Sequence, residues 1–146
     1  MILAIKSNHP SFKTVKLNKG YNIIVADRIN DVANGKLKSR NGAGKTTLIE
    51  IIHFCLGARV GKGSIFRNEN LKGWSFTIDI EIKKEKYSFE RFVDSPSKIY
   101  IVDGSVDKIG EEYKYDKKQH NYYFTVSNFN KYMLEKMYGF IQKGEN

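Results

Sequence analysis

The chain has a single cysteine, Cys55, so no intramolecular disulfide can form. It sits among apolar residues, the setting of a buried and inert thiol rather than a nucleophile. No apolar run approaches the length needed to span a bilayer, and the opening "MILAIKSNHP" lacks the long apolar stretch of a secretory signal. Together these exclude a disulfide scaffold and point to a cytoplasmic protein. His9, His53 and His120 share no ligand-like spacing with one another or with Cys55, which argues against a zinc site. Acidic residues are in deficit, 16 against 25 lysines and arginines, giving a formal charge of +9 and a pI near 9.5. That balance favours polyanionic partners but also fits a merely soluble basic surface. No repeat or low-complexity segment appears, and 146 residues suit one domain with a modest core.

Along the chain, "MILAIKS" and "SFKTVKL" read as short strands separated by Asn8-His9-Pro10. "YNIIVAD", Tyr21 to Asp27, carries four consecutive apolar residues, the pattern of a strand buried on both faces. A polar loop, "RINDVANGKLK", follows. From Lys45 to Leu56 the sequence is helical and apolar almost all round, as a buried helix should be, with Gly57 placed to cap it. From Trp74 the period switches to two, and "WSFTIDIEI", "KYSFERFV" and "SKIYIVDGS" predict an antiparallel meander over 74–103, with Asp103-Gly104 as a turn. Residues 105–124 are charged and aromatic with weak periodicity. Ser127 is placed to cap a last helix over 127–142 whose Phe129, Tyr132, Met133, Met137, Phe140 and Ile141 form one stripe.

The chemistry concentrates in "SRNGAGKTT", Ser39 to Thr47. It follows the phosphate-loop pattern G-x-x-x-x-G-K-[ST] except that Ser39 stands where the first glycine is usual. A polyphosphate is held by converging backbone N–H groups and by the positive end of a helix. Convergence requires backbone free of side chains and open to positive φ, which Gly42 and Gly44 provide. Lys45 can reach the terminal phosphates, Thr46 offers a hydroxyl to Mg²⁺, and Thr47 can bond the first phosphate. Ser39, Arg40, Asn41 and Ala43 complete the loop. Ser39 lies at the entry, where serine can satisfy local backbone groups itself. The expected ligands are ATP and Mg²⁺, with Thr46 as the metal ligand.

Other candidates are weaker. Asp79 and Glu81 fall on the polar side of an edge-like hairpin and read as solvated carboxylates. His53 reads as a structural histidine within its helix. "EEYKYDKKQHNYYF", Glu111 to Phe124, interleaves lysines with tyrosines as a single-strand binder would, but Glu111, Glu112 and Asp116 dilute its field, and it reads as a solvated segment.

"NGAGKTTLIEIIHFCLG" resembles the head of SMC-like ATPases, the group of structural-maintenance-of-chromosomes and SbcC-type repair proteins. The long insertion between "YNIIVAD" and the loop, with "LKGWSFTIDIEI", "YSFERFVDSPSKIYIVDG" and "FTVSNFNKYMLEKMYGF", narrows the resemblance to YydD-like proteins, SMC-like ATPases encoded in bacterial ABC-three-component systems for which defence roles are proposed. The resemblance implies an α/β P-loop NTPase: the N-terminal half of an SMC/ABC-type head, one lobe over 1–146, with strand, loop and helix in 1–57, the meander, and a C-terminal helix. Strands would wrap around the Lys45–Leu56 helix. Such heads continue into a coiled coil and a second half carrying the signature and Walker B motifs, neither of which is legible here. The implied function is ATP binding as a lobe of an SMC-like ATPase in DNA repair or bacterial defence. Hydrolysis, with catalytic residues unknown, would await a C-terminal half of the same head or a partner subunit. Head dimerisation and DNA contact are further implications, with no membrane involved. Two other readings stay open: a basic nucleic-acid-binding module, or a degenerate fragment without activity of its own.

Overall fold

A computed structural model describes residues 1–25, 44–103 and 113–139. Seven strands form one sheet: β1 (Ile2–Ser7), β2 (Val15–Lys16), β3 (Ser75–Ile82), β4 (Glu85–Phe92), β5 (Lys98–Asp103), β6 (Lys114–Asp116) and β7 (Asn121–Thr125), in the order β2-β1-β3-β4-β5-β7-β6. Every pairing is antiparallel. Two helices, α1 (Lys45–Cys55) and α2 (Val126–Tyr138), complete the described architecture with two short 3₁₀ turns at Ile65–Arg67 and Glu69–Leu71.

The period-two alternation of the sequence decides the layering. Phe76, Ile78 and Ile80 of β3 point to one face, as do Tyr87 and Phe89 of β4, Ile99 and Ile101 of β5, and Phe124 of β7; all are buried. Both helices cover this inner face. Phe54 of α1 meets Phe76 and Phe66, while Phe129 of α2 meets Phe89 and Phe124 edge-on. The opposite face carries polar groups that pair across strands. Lys6 is 2.5 Å from Asp79, which also accepts from the Ser88 hydroxyl, and Ser75 donates to Glu90. The meander expected over 74–103 is therefore present, but β3 lies between β1 and β4 rather than at an edge. Its closing turn, Lys83-Lys84, has positive φ at both residues, 50° and 69°. This is the two-residue hairpin geometry usually signalled by Asn-Gly, so residue type gave no warning of it.

Several expectations need correction. Tyr21 to Val25 form no strand, and Tyr21, Ile23, Ile24 and Val25 are exposed; Ala26 and Asp27 lie outside the described residues. An apolar run makes a strand only where a neighbour satisfies its backbone, and no described strand lies beside this one. Only Val15 and Lys16 of "SFKTVKL" pair. Helix α1 buries one side alone: Ile51, Phe54 and Cys55 are buried, whereas Ile49 remains 55% exposed. The strands do not wrap it; it rests on one face of one sheet. Helix α2 is capped by the Thr125 hydroxyl, which accepts from Asn128 N–H, so Ser127 sits inside its first turn. It ends at Tyr138 before Gly139; Phe140 and Ile141 lie outside the described residues, and Met137 is exposed. Of the expected Asp103-Gly104 turn, Asp103 ends β5 and Gly104 lies outside the described residues.

The segment that showed weak periodicity contains the β6–β7 hairpin. Asp116 organises it: one carboxylate oxygen accepts from Lys98 at 2.7 Å and Tyr100 at 2.8 Å, and the other from the N–H groups of Lys118 and Gln119. The Lys98 ammonium, then the Tyr100 hydroxyl, hold this carboxyl well below the usual carboxylate range. A carboxyl whose pKa is depressed by folding adds stability above its unfolded value of about 4, and that contribution fades as pH falls towards the folded value. Asp116→Asn is therefore expected to lower the urea midpoint at about pH 7, with the gap to wild type narrowing towards about pH 2.5. A gap of constant size across that range, measured by circular dichroism, would remove Asp116 as the hairpin's anchor.

Candidate functional site

Helix α1 begins at the phosphate-loop sequence. Gly44 is its N-cap, in the left-handed region at φ 78°, where a Cβ would be strained and where an ordinary side-chain cap is absent. Lys45, Thr46 and Thr47 form the exposed first turn, and Leu48 N–H donates back to the Gly44 carbonyl at 2.9 Å. The backbone N–H groups of Lys45, Thr46 and Thr47 meet no partner among the described residues, and no acidic side chain stands in this turn. The result is a helix N-terminus whose first amides have no described partner, with one lysine beside them, the elements of an anion site. Ser39, Arg40, Asn41, Gly42 and Ala43 lie outside the described residues.

A cavity of about 470 Å³ opens beside this turn, with Gly44, Lys45 and Thr47 at one end and Phe12, Trp74 and Phe76 among its apolar walls. Trp74 is held in place by His9, whose ring stacks on the indole at 4.0 Å and 8°. Thr46 is not among the residues lining this cavity. The space suits a small ligand with an apolar part and an anionic end. Sequence reasoning found the cationic end but not the aromatic walls, because Phe12 and Trp74 are far from the loop in the chain.

The other end of α1 is fastened to the sheet. Leu56 is the C-cap and Gly57, at φ 85°, is the residue beyond it. Gly57 N–H donates to Phe54 C=O and Ala58 N–H to His53 C=O, the paired bonds of a Schellman motif. Gly57 thus ends the helix as expected, one position later than a cap. Beneath it lies Arg91 of β4, only 2% exposed. Its Nη1 donates to Phe54 C=O at 2.6 Å and Ala58 C=O at 2.8 Å, its Nε to Pro96 C=O, and the guanidinium carbon lies 4.4 Å from the centre of the Phe54 ring. Burial lowers its pKa to about 10, which leaves it charged at neutral pH. A charged residue at an inward position of an otherwise apolar alternation was the signal for this role. Burial pushes the Cys55 thiol up to about 12, consistent with an inert cysteine.

The remaining candidates separate from the site. Asp79 and Glu81 lie on the opposite face of the sheet, paired with Lys6 and Lys19. His53 is exposed rather than a buried structural histidine. Among the described residues no cluster of histidine, cysteine or acidic side chains could hold a metal ion, and no helix is long and apolar enough to cross a membrane.

With this geometry in view, comparison with known families is decisive for class. The family described as "AAA domain" matches residues 6–143, nearly the whole chain. The chain belongs to this AAA-domain family, a P-loop ATPase-like domain. No curated protein and no solved structure matches it.

The junction at Gly57 yields a direct test. A Cβ there would lie 2.3 Å from Asn130 Oδ1 and 3.1 Å from Phe129 Cδ1. Gly57→Ala combines that overlap with a left-handed backbone, a conformational cost alone of about 1–2 kcal/mol. Urea denaturation of Gly57→Ala is expected to show at least this loss. Adding Asn130→Ala should relieve only the overlap with Asn130, at the loss of the hydrogen bond from Asn130 Nδ2 to the Gly57 carbonyl. A Gly57→Ala chain as stable as wild type would contradict the junction.

Proposed function

We propose that this AAA-domain chain binds ATP with Mg²⁺ through its phosphate loop, as the N-terminal lobe of an SMC-like ATPase head. The observation that carries the reading is the first turn of α1: Gly44 left-handed at the cap, three amides with no partner among the described residues, and Lys45 beside them. These donors suit phosphate oxygens. Lys45 would place a point charge on the terminal phosphates, Thr46 would ligate Mg²⁺, and Thr47 would hold the first phosphate. Ser39 to Ala43 would complete the nest, and the apolar cavity walled by Phe12 and Trp74 would receive the remainder of the nucleotide.

The finer family reading rests on the resemblance of "NGAGKTTLIEIIHFCLG" and the Trp74 region to YydD-like proteins, with repair or defence in the cytoplasm as the setting. Its partner would be the C-terminal half of a head, in cis or as a separate subunit, with dimerisation and DNA as later steps. Two features support an additional segment: Tyr21, Ile23, Ile24 and Val25 are exposed without strand partners among the described residues, and Ile49 is exposed on the outer side of α1. Exposed apolar surface of this kind marks a contact face.

Lys45 is exposed at the helix start, so Lys45→Ala removes charge rather than core. Calorimetric titration with a non-hydrolysable ATP analogue and Mg²⁺ is expected to show binding by wild type and none by Lys45→Ala, with unchanged melting. Equal affinity of the two proteins would refute the phosphate-loop reading. Turnover is a separate matter. Hydrolysis needs a positioned water and charge stabilisation around the moving phosphoryl group, and the described carboxylates Asp79 and Glu81 are committed to lysines on the far face. The expected steady-state phosphate release from the purified chain is therefore negligible. Robust release that disappears in Lys45→Ala would reveal a catalytic acid within this chain.

A further inference from the structure

A second cavity, of about 520 Å³, lies where the C-terminal end of α1 meets the N-terminal end of α2. Arg59, Arg67, Arg91, Ser97, Ser127 and Asn130 are among the residues lining it, and none of its lining residues is acidic. Elsewhere the described lysines that form ion pairs each meet a carboxylate, as Lys6, Lys19 and Lys98 do. None of these three arginines has an acidic partner among the described residues.

Two donors at this cavity are fixed before any ligand arrives. Arg91 is buried and immobilised by three carbonyls through Nε and Nη1, while its Nη2 donates to no described residue. Ser127 is the second residue of α2, a helix of 13 residues, and its backbone N–H likewise has no described partner; the N–H of Val126 before it is taken by Ser97 C=O and that of Asn128 after it by Thr125 Oγ1. The positive end of α2, one rigid guanidinium and two exposed arginines therefore line one cavity with no described carboxylate among its walls, and together they outweigh the partial negative charge at the C-terminal end of α1.

We propose that this cavity binds a phosphate group. A carboxylate would offset one charge and offers two oxygens. A phosphate presents more acceptor oxygens in the geometry that guanidinium forks match, and helix-terminal amides bind it directly. The volume, about 520 Å³, leaves room for a phosphate carried on a larger group. Two sources share that chemistry: a phosphodiester of a nucleic-acid strand, and a free phosphorylated small molecule. The site is separate from the phosphate loop, because the 11 residues of α1 hold the two ends about 16 Å apart.

The test uses the full chain carrying Lys45→Ala, which silences the loop, with inorganic pyrophosphate and a fluorescein-labelled single-stranded oligonucleotide as probes. In that background at least one probe is expected to bind. Arg59→Gln with Arg67→Gln should weaken it tenfold or more, while Lys114→Gln with Lys117→Gln, an equal loss of charge on the distant hairpin, should change it less than threefold. Both arginines are exposed, so the pair is expected to fold, and retained binding of an ATP analogue by Arg59→Gln/Arg67→Gln in a chain with native Lys45 separates this site from the loop. Oligonucleotide binding that pyrophosphate displaces only weakly identifies a strand as the source; pyrophosphate binding without oligonucleotide binding identifies a small molecule. No binding of either probe, or equal weakening by the arginine and lysine pairs, overturns the proposal.

Discussion

Helix α1 is held at one end by a buried cation. Arg91 reaches up from the middle of the sheet and ties the carbonyls of Phe54, Ala58 and Pro96 together. Isolating a charge from water is costly unless polar groups replace its hydration. Here the replacements are carbonyls, two of them from the C-terminal end of α1 and the turn after it, where the helix dipole is negative and a cation is favoured. The Phe54 ring covers one face of the guanidinium. This fixes where the helix stops and, through a rigid rod of three turns, where Lys45 and the amides of the first turn are presented. The phosphate-loop end owes its position to an interaction at the opposite end.

The sheet explains why that position faces outward. All seven strands are antiparallel, and both helices lie on one face, so α1 has a buried side against β3 and β4 and an open side beyond them. Such sheets can leave one face to water, and the far face here does so with cross-strand ion pairs. The open side of α1 is different in kind. Ile49 and the run Ile23, Ile24 and Val25 are apolar and exposed. Their composition is that of an interior, which is what made them read as one. The expectation of a doubly buried strand and an enclosed helix was a correct reading of residue type applied to a surface for which the described residues supply no cover.

Legibility in the sequence followed from how local each determinant was. The meander was readable because alternation along Trp74 to Ile82 and along β4 reports burial residue by residue. The helix stop was readable because Gly57 is the residue type that tolerates φ 85°. The phosphate-loop motif is contiguous in the sequence, and only Gly44 to Thr47 of it fall among the described residues. The β6–β7 hairpin was missed because its order comes from Asp116 meeting Lys98 and Tyr100, partners remote in the chain. The shift of the α2 cap from Ser127 to Thr125 reflects two adjacent candidate hydroxyls, which only the backbone path can rank. The aromatic walls of the cavity, and which carbonyls Arg91 reaches, depend on strand order, which no short stretch encodes; the inward position of Arg91 alone was local.

The basic composition also acquires a location. As a bulk property, +9 distinguishes poorly between solubility and attraction to polyanions. All three described ion pairs engage carboxylates of the sheet, Asp79, Glu81 and Asp116, on the side away from the helices. On the helix side Lys45 at one end of α1, and Arg59, Arg67 and Arg91 at the other, have no acidic partner among the described residues. Pairing thus engages three lysines on the far face of the sheet, while the cations at the two ends of α1 meet no described carboxylate. A field so placed draws anions towards clefts rather than spreading them over the surface, because low-dielectric walls focus it. Part of the basic excess thus stands at two described clefts, one at each end of α1.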